Sequence, residues 1–181
     1  YLYRCKTANM RENTFMGHPK GLYVLFFTEL WERFSFYGMR AILVLYLTAK
    51  TDVENPGLGF SNTSALELYG WYTMLVYVMS VPGGLLADRF LGQKKAVMLG
   101  GVLLSIGHLI LAFDSIHSFY TGIVLIILGV GALKPNISTM VGGLYKLGES
   151  GRDTAFTIFY IGINLGSLLA TSFIGIVVSQ W

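Results

Sequence analysis

The chain has 181 residues, of which 54% are hydrophobic and only 13% are charged, and its formal net charge is +3. Soluble proteins average about 25% charged residues, so a soluble domain of this length would lack the polar side chains that its surface needs. The composition argues against a soluble enzyme, a nucleic-acid reader and a disordered chain, and it predicts an integral membrane protein. The single cysteine, Cys5, excludes a disulfide within the chain and a multi-cysteine metal site.

Five apolar stretches are predicted to cross the membrane as helices, because a bilayer requires about 20 apolar residues per helix. They cover about residues 19–47, 66–87, 96–113, 119–145 and 155–180. The stretches are too long for strands and lack strict apolar–polar alternation, which argues against β-structure. We therefore predict an all-α, polytopic membrane protein, with a cytoplasmic segment at residues 1–17 and a transmembrane bundle at 18–181.

Basic residues are distributed unevenly among the segments between these spans. With a cytoplasmic N-terminus, the inner segments contain nine of them, and the outer loops contain only Lys50. Such a bias is typical of a multi-pass protein of the cell membrane in this orientation. The positive charge is spread over short separate loops, which argues against a nucleic-acid partner. The expected surroundings of the chain are the lipid bilayer. The inner residues are Arg4, Lys6, Arg11, Lys20, Arg89, Lys94, Lys95, Lys146 and Arg152.

The first predicted span contains four charged residues, Glu29, Glu32, Arg33 and Arg40. At 100° per residue they occupy one stripe, under half of the helix circumference. A charge at the bilayer centre costs at least about 2.5 kcal/mol, so the stripe favours a substrate or ion pathway. Two alternatives stay open. The helix could be the amphipathic helix of a soluble domain, or the charges could form static ion pairs, as Glu29 and Arg33 can at their spacing of four.

Lys134 lies near the centre of the fourth predicted span, directly before Pro135. Proline removes a backbone donor, and the carbonyl it frees favours a protein interior or a wet cavity. We count two acids, Glu29 and Glu32, and three bases within the spans. This excess of positive charge is suited to an anion such as a carboxylate. A carboxylate that changes partner from Arg33 to Lys134 can also take up and release a proton.

The fifth predicted span places Tyr160 and Asn164 on one face, where both can offer hydrogen bonds inward. An asparagine in mid-membrane is costly without a partner, so a protein group or a ligand is implied. Gly162 and Gly166 form a small-residue face, which we interpret as packing. In the second span, Tyr77 is equally compatible with a core position and an inward-facing one.

Four segments together resemble the proton-dependent oligopeptide transporter (POT or PTR) family of the major facilitator superfamily. Glu29–Gly38 (ELWERFSFYG) looks like the family's ExxERFxYYG motif. Gly83–Gly92 (GGLLADRFLG) is similar to the superfamily's cytoplasmic loop motif in its peptide-transporter form. Lys134–Asn136 and Phe156–Leu168 are similar to the fourth-helix and fifth-helix signatures. The four occur in the family's order and correspond to its helices 1–5.

The resemblance implies twelve or more helices in two six-helix halves, with alternating access around a central site. It implies a proton as the coupling ion, no other cofactor and no metal, and the following roles. Proton coupling falls to Glu29, Glu32, Arg33 and Lys134. Arg40 and Lys134 attract the carboxylate of a peptide. Tyr37, Tyr77, Tyr160 and Asn164 line the peptide pocket, and Asp88 and Arg89 belong to the gating loop.

Two positions depart from the family's pattern. Phe36 stands where the family often has tyrosine, and the second span lacks the histidine of animal members, so coupling must rest on carboxylates. His108, in the third span, is interpreted as a packing or pore-rim residue.

The predicted function is import of di- and tripeptides together with protons. The alternatives are a transporter of the same fold for another small anion or solute, and a non-transporting membrane protein. Nothing in the sequence indicates an enzyme, since it has no nucleophile triad, metal-ligand cluster or phosphate loop. Five spans fall short of one six-helix half. We therefore expect the chain to need further C-terminal helices and not to transport by itself.

Overall fold

A computed structural model describes residues 14–52, 56–146 and 151–179. Cys5 and most of the predicted segment 1–17 lie outside these residues. The described chain is built almost entirely from helices in sequence, joined by short connections. They are α1 (Lys20–Thr48), α2 (Asn62–Val78), α3 (Ser80–Leu86), a π-helical turn (Ala87–Leu91), α4 (Gln93–Leu111), α5 (Ile116–Gly143) and α6 (Gly151–Ser179).

Four helical segments of the described chain are long and apolar enough to cross a membrane: Asn62–Leu91, Gln93–Leu111, Ile116–Gly143 and Gly151–Val178. The first of these combines α2, α3 and the π-helical turn. The all-α, polytopic architecture is therefore confirmed. Helix α1 has sufficient length, at 29 residues, but its charged residues keep it out of this set. That α1 also crosses the bilayer stays a prediction.

A short β-ladder precedes α1, and the sequence analysis did not foresee it. Thr14–Phe15 pairs antiparallel with His18–Pro19 across a two-residue turn. Both turn residues, Met16 and Gly17, have positive φ, at 49° and 81°. A two-residue hairpin turn of this kind needs positive φ at both positions. Two residues per strand are too few to produce an alternation that could be recognised in the sequence.

The chain divides into two compact units, which we describe separately. Among the described residues, the first unit contains 14–39 and 141–179, and the second contains 40–140. In the first unit, α6 approaches α1 through its two predicted packing glycines. A Cβ on Gly162 would meet the ring of Phe26 at 2.9 Å, and one on Gly166 would meet the carbonyl of Leu30 and the Cβ of Arg33. The packing interpretation of these glycines is confirmed.

In the second unit, α3 crosses α5 at the proline. Pro135 has no N–H, so the carbonyl of Gly131, four residues earlier, lacks its usual helical donor. Gly83 of α3 lies directly against that carbonyl. Nearby, the buried Asn136 donates from Nδ2 to the carbonyls of Ala132 at 2.7 Å and Gly83 at 3.4 Å. The absence of a side chain at Gly83 is what permits this close crossing.

Substitution of Gly83 by alanine should therefore destabilise the protein, whereas Gly84→Ala should be nearly neutral. A Cβ at Gly83 would overlap the backbone of Gly131, but one at Gly84 would meet Pro135 at an ordinary 3.7 Å. Overpacking of this kind costs about 1–3 kcal/mol. The thermal unfolding midpoint of the complete protein in detergent measures the difference. Equal losses in the two variants would mean that the crossing is not the cause.

Candidate functional site

The charged residues at the centre of α1 form a buried cluster, composed of Glu29, Glu32 and Arg33, in the first unit. Their exposed fractions are 3%, 5% and 5%. The Nε of Arg33 lies 3.1 Å from Oε1 of Glu29, and it also donates to Oε2 of Glu32. The Glu29–Arg33 pair predicted from the spacing of four is confirmed. The second pair, between adjacent residues, does not follow from helical spacing.

One guanidinium contacts two carboxylates in this cluster. Phe36 covers it on one side, with its ring centroid 5.4 Å from the Cζ of Arg33. The Nη2 of Arg33 is buried and has no hydrogen-bond partner among the described residues. Burial makes an uncompensated charge expensive, so addition of a proton to either carboxylate would change the balance of charge that Arg33 serves. That these carboxylates couple transport to protons stays a prediction.

Arg40 lies further along α1, in the second unit, and binds a tyrosine that the sequence analysis did not identify. Its Nε donates to the hydroxyl of Tyr69 on α2 at 2.8 Å, and its Nη2 donates to the same oxygen. The guanidinium also lies 5.3 Å from the ring centroid of Tyr69. Hydrogen bonds and ring contact together fix the orientation of the guanidinium. Residues 29 positions apart are not connected by helical periodicity, so Tyr69 could not be recognised from the sequence.

Lys134 and Tyr77, both predicted site residues, are in contact within the second unit. The Nζ of Lys134 lies 4.2 Å from the centroid of the Tyr77 ring, which is a close cation–π geometry. Tyr77 is 54% exposed, so it does not occupy a core position among the described residues. That it faces inward stays a prediction.

The other predicted pocket residues lie in the first unit. Tyr37 is half-buried, and its ring packs edge-on against Phe36 at 5.4 Å. Tyr160 is 59% exposed on α6. Asn164 is exposed and donates from Nδ2 to the carbonyl of Tyr160 at 3.0 Å. The partner that Asn164 was expected to need is therefore supplied, in part, by its own helix.

The predicted gating residues, Asp88 and Arg89, are exposed in the π-helical turn Ala87–Leu91. This turn ends at Gly92, whose φ of 75° favours glycine and reverses the chain before α4. His108 bonds through Nδ1 to the carbonyl of Leu104 at 2.8 Å. Within the described ranges, no three histidine, cysteine or acidic side chains are grouped so that they could hold a metal ion.

The structure thus assembles three local groups: the Glu29–Glu32–Arg33 cluster, the Arg40–Tyr69 pair and the Lys134–Tyr77 pair. The first group belongs to one unit and the others to the second, so the exchange of a carboxylate between Arg33 and Lys134 stays a prediction. Glu67 on α2 is a further ionisable residue of the second span, and the count of charges from the sequence omitted it. Apolar helices that enclose buried ionisable groups are characteristic of membrane transport proteins.

Known proteins are similar to this chain over most of its length. A family model described as "POT family" matches residues 94–181. A di-/tripeptide transporter of Lactococcus lactis subsp. lactis is 51% identical over 173 residues, which is 95% of this chain and 35% of the relative. The chain therefore spans about a third of the length of that relative. The resemblance found in the sequence is confirmed: the chain is similar to transporters of the POT family and corresponds to their N-terminal part.

Solved structures agree with this assignment. A crystal structure of peptide transporter POT in complex with sulfate is 51% identical, with a TM-score of 0.83, over 87% of this chain and 32% of that chain. A POT family transporter in complex with a thioalcohol-conjugated peptide is 44% identical, with a TM-score of 0.82, over the same shares. The helices of this chain therefore adopt the fold of the N-terminal part of these transporters.

Proposed function

We propose that the complete protein is a proton-coupled symporter that imports di- and tripeptides by alternating access. The observation that carries the proposal is the buried cluster in which Arg33 is shared by Glu29 and Glu32. Two buried carboxylates beside one guanidinium are groups whose protonation would change their hold on Arg33, as proton coupling requires. The names of the POT-family relatives support peptides as the substrates. The bias of basic residues supports a cytoplasmic N-terminus in the cell membrane.

In this proposal, a proton binds one carboxylate of the cluster and weakens the hold of that carboxylate on Arg33. The proton is the coupling ion, and no other cofactor takes part. When the proton leaves on the cytoplasmic side, the carboxylate recovers its charge and pairs again with a cation, either Arg33 or Lys134. Because each arrangement keeps the buried charges compensated, the proton determines which arrangement is stable.

The proposed substrate contacts are of two kinds, positively charged side chains and neutral polar side chains. Arg40, held by Tyr69, and Lys134, against Tyr77, are cations suited to the carboxylate of a peptide. The phenols and the amide tolerate varied side chains, which a site for many peptides needs. Asp88 and Arg89 are assigned to gating, and further helices of the complete protein are required to close the site. The proposed pocket residues are Tyr37, Tyr77, Tyr160 and Asn164.

Glu32→Gln should abolish proton-driven accumulation of dialanine while preserving exchange of dialanine across the membrane. Glutamine keeps the shape of glutamate but cannot bind and release a proton. Uptake into proteoliposomes containing the complete protein, with and without an inward proton gradient, gives the comparison. We expect accumulation to fall by at least about tenfold, which corresponds to about 1.4 kcal/mol. Asp114→Asn, in an exposed loop, is the matched control.

Gradient-driven uptake that is unchanged in the Glu32→Gln variant would rule out the role assigned to Glu32. If the wild-type protein accumulates another small anion but no di- or tripeptide, the alternative of a related transporter with a different substrate is correct. The 181-residue chain alone is expected to be inactive, because the complete site requires further helices. Coupled uptake by this chain alone would contradict that expectation.

A further inference from the structure

The short hairpin before α1 makes a side-chain contact with a segment far along the chain. The Nδ1 of His18 and the hydroxyl of Tyr145 are hydrogen-bonded at 2.7 Å, although the two residues lie 127 positions apart. Their rings also meet edge-on, with centroids 6.1 Å apart. Both residues belong to the first unit. The hairpin is thereby joined to Tyr145, which follows the end of α5.

The hairpin is itself braced against α1. The hydroxyl of Tyr23, in the first turn of α1, donates to the carbonyl of Phe15 at 3.2 Å, and the two rings meet edge-on at 5.3 Å. The other strand of the hairpin, His18–Pro19, leads directly into α1. Because one strand contacts Tyr23 and the other is continuous with the helix, His18 has a fixed position relative to α1.

The first residue of α6, Gly151, lies beside the same two rings. A Cβ added to it would be 3.5 Å from Cε1 of Tyr145 and 4.0 Å from Cε1 of His18, which are ordinary van der Waals distances. Leu144 approaches Gly21 of α1 through a terminal methyl group, 3.1 Å from an added Cβ. At this end of the first unit, the helices are therefore in contact through side chains, which can separate without displacing an interlocked backbone.

The contact between α1 and α6 further along the two helices is of a different kind. An added Cβ at Gly166 would meet the carbonyl of Leu30, and one at Gly162 would lie 3.2 Å from the carbonyl of Phe26. The two backbones approach each other directly there, and close-packed positions of this kind resist separation. Gly151 precedes Gly162 by 11 residues of α6, which corresponds to about 16 Å along the axis. A tilt of α6 by about 10° around Gly162 would move Gly151 by about 3 Å, enough to break a hydrogen bond at the same end of the unit.

Protonation of His18 does not by itself release the contact. A neutral imidazole nitrogen accepts a hydrogen bond from the phenol or donates one to it, and an imidazolium donates one to the phenol oxygen. A hydrogen bond to Tyr145 is therefore available in each protonation state. Separation of the two residues requires the helices to move.

We propose that the His18–Tyr145 contact is a cytoplasmic latch, closed when the end of α5 and the start of α6 lie against the start of α1. The inference rests on the proposed function, because alternating access requires cytoplasmic ends of helices to separate in each cycle, and on the proposed cytoplasmic N-terminus. The close approach at Gly162 and Gly166 is the pivot, and the hairpin is the part of the latch that stays with α1. Release of the latch precedes opening to the cytoplasm, so the latch regulates that step.

A reversible cross-link tests whether the latch must open during transport. The complete protein, with its native cysteines replaced by serine, would contain His18→Cys and Tyr145→Cys, joined by a short bis-methanethiosulfonate reagent. Compared with the same variant before treatment, cross-linking should reduce proton-driven uptake of dialanine by at least about tenfold, and a reductant should restore it. The matched control is Phe15→Cys with Tyr23→Cys, a pair in contact that does not join the hairpin to α5 or α6. Its cross-link should leave uptake unchanged.

Removal of the hydrogen bond tests the latch without a cross-link. Tyr145→Phe keeps the ring but loses the hydroxyl, and His18→Ala removes the imidazole. A cysteine introduced by Val141→Cys, at a fully buried position near the end of α5, reports opening through its rate of alkylation by N-ethylmaleimide in detergent. Each latch substitution should raise that rate about fivefold, as expected for loss of one hydrogen bond, and the double variant should show no further increase. His18→Gln, which can still bond to the phenol, should keep most of the protection.

Unchanged uptake by the cross-linked protein would overturn the latch, because the contact would then be permanent. An alkylation rate that neither Tyr145→Phe nor His18→Ala changes would also overturn it. If the wild-type protein transports no peptide, the proposed function fails separately, and alkylation of the Val141→Cys variant then decides the inference. Faster alkylation after Tyr145→Phe, with protection kept by His18→Gln, would support it, and equal rates in all variants would exclude it.

Discussion

Replacement of Arg33 by alanine is expected to destabilise the complete protein by about 3–5 kcal/mol, the usual cost of removing one partner of a buried ion pair. Arg33 is 95% buried, and its guanidinium is shared by Glu29 and Glu32. Its loss leaves two buried carboxylates without the cation that they have in common. The expected result is a fall of several degrees in the thermal unfolding midpoint, together with loss of proton-driven uptake.

A neutral version of the cluster separates stability from coupling. The triple variant Glu29→Gln, Glu32→Gln, Arg33→Met removes all three charges at similar volume, and such replacements are often neutral or stabilising. We expect it to recover most of the thermal stability that Arg33→Ala loses, while proton-driven uptake stays absent. Arg33→Lys should lie between the wild-type protein and Arg33→Ala, because one ammonium replaces a planar group. A triple variant as unstable as Arg33→Ala would show that the charges are not the origin of the loss.

Features that depend on local spacing could be predicted from the sequence. The Glu29–Arg33 pair follows from a separation of four residues on a helix, and the packing of Gly162 and Gly166 follows from the same rule. Helix α1 could be recognised from its single stripe of charges. Each of these inferences needs only the helical repeat, which is a property of the backbone.

Features that depend on contacts between distant segments could not be predicted in this way. The Arg40–Tyr69 pair requires α1 and α2 to meet at a particular height, which periodicity does not specify. The same holds for the approach of Gly83 to the carbonyl that Pro135 leaves free. The sequence suggested a kink at Pro135 but not the helix that packs there.

Lys134→Gln is expected to reduce proton-driven uptake of dialanine by about ten- to 100-fold. The ammonium lies 4.2 Å from the centroid of the Tyr77 ring. The substitution removes the hydrogen bond that this charged group is proposed to donate, and such a bond contributes about 1.5–3 kcal/mol. Lys94→Gln, at the exposed start of α4, is the matched control for loss of one positive charge. Tyr77→Phe keeps the ring beneath the ammonium and should retain more activity than Tyr77→Leu.

The two roles assigned to Lys134 predict different results with a modified substrate. If Lys134 binds the carboxylate of the peptide, Lys134→Gln should raise the KM for dialanine more than the KM for dialanine amide, which has no carboxylate. If Lys134 acts only in coupling, both substrates should lose gradient-driven uptake equally, and exchange without a gradient should continue. We expect both effects together, because the proposed function assigns both roles to Lys134. Normal gradient-driven uptake in the variant would exclude both roles, since neither binding nor coupling would then depend on the charge.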